Sequence, residues 1–298
     1  MRYERSKHVP PTPDELRNLT IQGEWANTKG DNPEQFVIYD NGPDTDARIV
    51  IFASPPCLRK LCTANIWFMD GNFAMAPRPG FLQMYIIRVP LGSTAVTTVY
   101  ALLQRKSQEI YEEMLRAISD YCGTQNLFPA PATVLCDFEI ALIRAVQDVF
   151  GDITNIQGCF YHFTQSTWRK IQEEGLTQEY KGNEDFKLLC AKLDGLAFLP
   201  NAKVQEAFES LRGTAPDIAN PIVDYISNTY VNGTYGRANV QLANGDVGIR
   251  MRRMPPRFPI ELWNVHDATL SDGPRTNNMC EGFNNRFLQI VGCKHPGI

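Results

Sequence analysis

Short apolar runs bounded by turn residues open the ordered part of the chain. QFVIY at 35–39 and RIVIFA at 48–53 predict two strands, and Asn41-Gly42 between them is a strong turn signal. SPPCLRKLCTA then predicts a short helix, with Ser54 as cap and Pro55 or Pro56 in its first turn. IWFM at 66–69, LQMYIIRV at 82–89 and AVTTVYALL at 95–103 predict three further strands, the last two joined at Pro90-Leu91-Gly92. The spacing changes after residue 106. Ile110, Met114, Leu115 and Ile118 recur at three and four residues while Glu109, Glu112 and Glu113 face water, the pattern of a half-buried helix. A strand ATVLCD, a helix FEIALIRAVQDVF, a strand TNIQGC and a helix FYHFTQSTWRKIQEEG follow.

Three strands, helix, strand, helix, strand, helix is the order of a mixed sheet. The first three strands can form a meander, and the later two need crossovers that lay them parallel to their neighbours. The expected architecture is an α/β fold with a mixed five-stranded sheet flanked by helices. Residues 175–235 read as an all-helical insertion, because DFKLLCAKLDGLAFLP, KVQEAFESLRG and IVDYISNTYV are too long and too periodic for a loop. Residues 232–275, rich in Gly, Pro, Asn and Arg, predict a connection with little regular structure. NNMCEGFNNRFLQIV predicts a last helix with Met279, Phe283, Phe287 and Ile290 on one side. The expected organisation is an N-terminal lead-in (1–45), the first part of the core (46–174), the insertion (175–235), and a connection with the final core helix (236–298). The chain stops at His295-Pro296-Gly297-Ile298 without a finishing element, so it reads as a truncated fragment or an incomplete gene product.

Composition narrows the class. The 298 residues carry a formal charge of -4, which argues against a wholly basic nucleic-acid binder but leaves room for a local basic path. No run of 18 apolar residues predicts a membrane span, and MRYERSKHVPPTPDEL lacks an apolar signal segment. The eight cysteines form no CxxC pair and no dense framework, and most read as buried free thiols in a reducing compartment.

The candidate chemistry is carboxylate chemistry. Asp70 and Asp137 each close a short apolar strand, IWFM and VLC. If those strands are adjacent and parallel, the two carboxylates stand side by side, an arrangement that costs free energy unless a cation relieves the repulsion. Mg2+ suits carboxylates and waters, and a pair of such ions can clamp the attacking and leaving oxygens of a phosphoryl transfer. Glu281, early in the last helix, is the candidate third ligand. The bland reading makes the two aspartates turn or cap residues. Glu139 has two readings of its own, an acid placed at a helix N-terminus and a rival metal ligand.

In IWFMDGNF, LQMYIIRVPLG, VYALLQRKSQEIY, VLCDFEIALIRAV, IQGCFYHFTQSTWRKIQEEGL, LAFLP and RTNNMCEGFNNRF, taken in that order, the chain resembles the transposase domain of Mutator-like elements, the MULE transposases. That family belongs to the RNase H-like group with a DDE metal triad, and the resemblance runs over residues 45–296. It implies Asp70 as the first acid in a DG motif, Asp137 as the second in DFE, and Glu281 as the third in TNN-x-x-E. All three would be catalytic and metal-binding, with two Mg2+ or Mn2+ ions. It implies strand cleavage at transposon ends and strand transfer to target DNA, attack coming first from water and then from a 3'-hydroxyl. The partners would be transposon terminal repeats and target DNA, with a homo-oligomer as a further expectation, no membrane, and work in the nucleus. Two departures are visible: Asn72 follows Asp70-Gly71 where the family usually has Thr, and Gly282-Phe283-Asn284 stands where it often has Gly-Trp-His. Asn284 cannot carry a proton as histidine could.

Further residues attach to the DNA reading. Cys159 and His162 have Cys-x-x-His spacing, for which the resemblance implies a role in DNA handling beside the cleft. Chemistry alone offers half a zinc site or a proton shuttle at His162. Arg250, Arg252, Arg253 and Arg257 cluster in GIRMRRMPPRF, Arg169 and Lys170 follow His162, and Arg275 and Arg286 flank Glu281. Each is either a phosphate-binding group or part of a solvated face. Trp168 and Trp263 either stack on a base or pack in a core. Beside an active transposase stand two alternatives, a transposase-derived DNA-binding regulator that does not cut and an interaction module that keeps only the fold. No array of cysteines and histidines precedes the core, so a DNA-reading module is expected to be missing from this chain.

Overall fold

The computed structural model describes residues 15–78, 80–241 and 247–297; the rest of the predicted lead-in, residues 1–14, lies outside them. The chain divides into two compact units. One runs up to Ile156 and resumes at Asn277, and the other is Gln157–Thr276.

The first unit is built on a seven-stranded sheet in the order β1-β2-β5-β4-β3-β6-β7. Its strands are β1 Val37–Asp40, β2 Ile49–Phe52, β3 Ile66–Asn72, β4 Gln83–Leu91, β5 Thr94–Leu103, β6 Thr133–Cys136 and β7 Asn155–Gly158. The expected five-stranded core is present as β5-β4-β3-β6-β7 in an RNase H-like arrangement, and the first hairpin extends its edge. Antiparallel pairing of β2 to β5 makes that extension. The hairpin closes through Arg48, whose buried guanidinium donates to both carboxylate oxygens of Asp40 at 3.0 and 2.7 Å. β3 pairs antiparallel with β4 and parallel with β6, as their sequence order requires.

Helices lie on both faces. α1 (Pro55–Thr63) carries prolines in its first turn, but Ser54 caps it through its backbone position without a side-chain bond. α2 (Gln108–Thr124) buries Ile110, Met114, Leu115 and Ile118, the stripe read from the sequence, and Tyr111 besides, and α3 (Ile140–Phe150) packs on it. Adjacent residues of β3 point to opposite faces. Gly71 faces Gln83 and Tyr85, whose neighbour is Tyr111 of α2. Asp70 faces the C-terminal helix, Asn278–Val291, which lies against β3. The apolar side expected for that helix is only partly covered. Phe283 and Phe287 stack on each other and pack against Tyr100 of β5, whereas Met279 and Ile290 are exposed.

The second unit is mainly helical: α4 Phe160–Glu173, α5 Thr177–Gly182, α6 Glu184–Gly195, α7 Asn201–Thr214, α8 Asn220–Ile226, α9 Ile260–Trp263 and α10 His266–Leu270. The C-terminal helix is accordingly α11. The core of this unit is aromatic. Phe163 stacks on Trp263 at 4.9 Å, and the Trp263 indole donates to the Tyr230 carbonyl at 3.1 Å. One expectation is corrected here. The stretch read as irregular holds a two-stranded antiparallel ribbon, β8 Thr234–Gln241 and β9 Val247–Met254. Its pattern misled because Tyr235, Ile249 and Met251 are exposed, so among the described residues no buried face marks it as sheet.

Candidate active site at the strand ends

Register decides where the two aspartates stand. Ile66 pairs with Thr133, Trp67 with Val134 and Phe68 with Leu135, an offset of 67 residues throughout. Extended two residues past the last paired position, the same offset sets Asp70 of β3 against Asp137. β6 stops at Cys136, and Asp137 is the first residue past its end. β3 continues to Asn72 because β4 still pairs with it, Asp70 opposite Ile86. Asp70 therefore sits within the strand rather than at its close. It is buried, and Asp137 is half-buried. Burial pushes the Tyr85 phenol well above its ordinary value, and the fields of Asp137 and Asp70 push it the same way. Both carboxylates therefore act on one buried group.

α11 brings the third acid to this edge. Asn277, Glu281 and Asn284 are spaced by four and three residues and share one helix face. Both asparagines of that face reach β3. The Asn277 amide donates to the Met69 carbonyl at 3.0 Å, and the Asn284 amide donates to Asp70 Oδ2 at 2.6 Å. Glu281, in the first turn and half-buried, lies between them. Arg88 of β4 adds a second anchor. Its guanidinium donates to the Met279 carbonyl and to the Ala95 carbonyl, and it lies 4.8 Å from the Phe283 ring centre. Burial holds its pKa below the ordinary arginine value. Arg88, Asn277 and Asn284 went unassigned as site residues in the sequence, although RTNN and the Asn284 substitution marked two of them.

Side chains complete less than the backbone prepares. Among the described residues, no group of three or more His, Cys, Asp or Glu side chains is gathered to hold a metal ion. Glu139 is the N-cap of α3, but its side chain makes no cap hydrogen bond. Burial raises its pKa, while Lys106 and a hydrogen bond from Tyr111 oppose that rise. Tyr111 in turn accepts from Gln83 at 2.8 Å. Glu139 thus belongs to a polar chain running into the α2 face. The pair Asp70 and Asp137 still fits a hard cation. Both donors are carboxylates, and a carboxylate has about four lone-pair sites, more than one amide can use.

The residues expected to handle DNA fall into distinct settings. Cys159 is the buried N-cap of α4, and His162 is in the first turn with its ring 5.6 Å from that of Tyr161. Lys170 is drawn to Glu174 at 2.6 Å and Glu173 at 3.4 Å, and Arg169 donates to Gln165. Arg250 and Arg252 are exposed on one face of β9, two residues apart, while Arg253 on the other face donates to Asn232 at 3.2 and 3.3 Å. Arg257 is exposed beside the Phe258 ring. The Arg275 carbonyl accepts from the Phe160 backbone, fixing the start of α4, and Arg286 is exposed on α11. Trp263 is core; Trp168 pairs edge-on with Tyr180. All eight cysteines are free thiols, five of them buried, with Cys293 exposed.

Residues 66–166 match the MULE transposase domain family. The match takes in β3 to β7 and the start of α4, including Asp70, Asp137, Cys159 and His162, and leaves Glu281 outside. Among solved structures, the chain is similar to the Drosophila P element transposase strand transfer complex, at 11% identity and a TM-score of 0.27. That similarity covers 59% of this chain and 53% of the other, so it spans about half the length of that transposase chain. No curated protein matches. Over those residues the chain is similar to the MULE transposase domain. No helix among the described residues is long and apolar enough to cross a membrane.

Proposed function

We propose that this chain is the catalytic domain of a MULE-type DNA transposase, which cleaves strands at transposon ends and joins them to target DNA. What supports the reading is the parallel register of β3 and β6, which, extended two residues, sets Asp70 against Asp137, together with the helix face bearing Glu281, whose two asparagines reach β3. Asp70, Asp137 and Glu281 would hold Mg2+ or Mn2+. A divalent ion at such a site polarises a phosphodiester and lowers the pKa of a bound water. The chain's own residues do the positioning. Asn284 fixes the Asp70 carboxylate, and Asn277 with Arg88 holds α11 against β3 and β4. Arg250, Arg252 and Arg257 are exposed cations available to phosphates, as is Arg286 on α11. Transposon ends and chromosomal target DNA would be the partners, a homo-oligomer the working assembly, and the nucleus the place of work.

A second reading has an observation of its own. Among the described residues the side chains do not form a three-ligand cage, and an amide occupies one oxygen of Asp70. A transposase-derived protein that binds DNA without cutting would keep this fold and these arginines. The deciding experiment incubates the protein with DNA carrying the matched terminal repeats, with Mg2+, Mn2+ or EDTA. The first reading expects nicks and joined products with either metal, lost in Asp137→Asn. Binding without nicks in every metal condition supports the second.

A further inference from the structure

Three helices of the second unit, α4, α5 and α6, line an open cavity of about 440 Å³ that the transposase reading does not use. Its walls include Tyr161, Trp168 and Tyr180, with Thr167, Cys190 and Asp194 also lining it. Trp168 and Tyr180 meet at 63° with ring centres 5.1 Å apart, so they form two walls of a corner rather than a stack. The volume lies in the range of small-ligand sites, where aromatic walls and a few polar groups are the rule.

Asp194 is the unusual member. Thr167 donates to its Oδ1 at 2.7 Å, and among the described residues no Lys, Arg or His pairs with it. On α4, Arg169 donates to Gln165, and Lys170 pairs with Glu173 and Glu174. Burial pushes the Asp194 carboxyl up to about 7, against the pull of the Thr167 hydroxyl. Burial first and then Asp194 push the Cys190 thiol up to about 12, so it stays protonated and is no nucleophile. A carboxylate without a counter-charge, set among aromatic rings, is the complement of an organic cation.

We propose that this cavity binds a methylated ammonium group, with Asp194 as counter-ion and Trp168, Tyr180 and Tyr161 as cation-binding walls. The lining favours methylation. Three aromatic side chains and a single carboxylate line the cavity. Methyl groups lie against ring faces, where the positive charge is spread and desolvation costs less than for a bare ammonium. The volume exceeds that of one such head group, which leaves room for the chain that carries it. Two sources share this chemistry, a free quaternary amine and a methylated lysine side chain on a peptide.

The test uses the whole chain and calorimetric titration at constant ionic strength. Tetramethylammonium chloride is the first probe and sodium chloride the blank. Saturable binding of the former, weakened tenfold or more by Asp194→Asn and by Trp168→Leu, is the expected result. Asp194→Asn is isosteric and keeps an acceptor for Thr167, so it remains informative if Trp168→Leu fails to fold. Choline and a trimethyllysine peptide, run beside the unmodified peptide, then separate the two sources. No saturable binding of tetramethylammonium, or equal binding by the parent and Asp194→Asn, overturns the proposal. Choline binding with neither peptide bound assigns the free amine, whereas saturable binding of the unmodified peptide as tight as that of the trimethyllysine peptide also overturns the proposal.

Discussion

Gly71 shows how tightly one residue is constrained beside the candidate site. A Cβ built there would lie 2.4 Å from Gln83 Oε1 and 3.1 Å from the Tyr85 ring. Gln83 cannot swing aside freely, because it is buried and bonded to Tyr111. Gly71→Ala is expected to cost about 1–3 kcal/mol, the usual range for overpacking, read as a lower urea midpoint at unchanged slope. Asp194 makes a prediction of opposite chemical sense. Its pKa is raised to about 7 by burial, so the native chain holds a proton that the unfolded chain has lost between about pH 4 and 7. Stability therefore falls as pH rises through that window. Asp194→Asn should melt higher than the parent at pH 8 and close to it at pH 4. Melting curves that differ by the same amount at both pH values would remove Asp194 as the cause.

α11 is held by particular bonds more than by apolar burial. Of its residues only Cys280 is fully buried, and Ile290 is exposed. Asn277, buried at the helix entrance, and Arg88 bear the anchoring. Asn277→Ala would leave the Met69 carbonyl without its amide donor, a loss of about 1–3 kcal/mol for a buried acceptor. The loss should be local. Hydrogen exchange in 278–291 is expected to quicken while exchange in β3 and β4 stays slow, since helices with little buried apolar surface open below the global transition. Uniform acceleration across the sheet would show that α11 is integral to the core. The β8–β9 ribbon belongs to the same scale. Among the described residues its exposed arginines, Tyr235, Ile249 and Met251 form no buried face, so its form depends on the ladder and on the Arg253 bonds to Asn232.

Two predictions concern the whole molecule. Mn2+ at about ten times its Kd should stabilise the fold by about 1.4 kcal/mol, because a ligand of the native state stabilises it by mass action. For a chain of this size that is a rise of a few degrees in Tm. Asp137→Asn should abolish most of the rise, and the same response in parent and variant would exclude a site at the strand ends. The second concerns charge. At a net charge of -4 the protein has no general attraction for a polyanion, so local cations must supply it. Replacing Arg250, Arg252 and Arg257 by Gln should weaken binding to unrelated DNA duplexes about equally. It should also flatten the plot of log affinity against log salt by about 0.9 for each phosphate that is no longer neutralised. Adding Arg253→Gln should change the slope little, because that guanidinium is spent on Asn232.

Strands β1 to β7, the helices between them and the helical character of 177–231 were legible because their apolar positions repeat with the period of the element they form. The two aspartates were legible for the same reason, since each follows a short apolar run. Their placement against each other was not. It follows from the parallel register of β3 and β6, which depends on pairing between residues 67 positions apart. The ribbon escaped because its exposed apolar residues break the link between hydropathy and burial on which such reading rests. Arg88, Asn277 and Asn284 escaped because a polar side chain announces its type and not its partner. Asn277 bonds across 208 residues and Asn284 across 214, and only the folded chain brings such groups within hydrogen-bond distance. The chain thus wrote its elements and its candidate acids into local pattern. Tertiary pairing alone decided the register that sets Asp70 against Asp137, the asparagine bonds that tie α11 to β3, and the place of Asp194 in a cavity lined by aromatic rings.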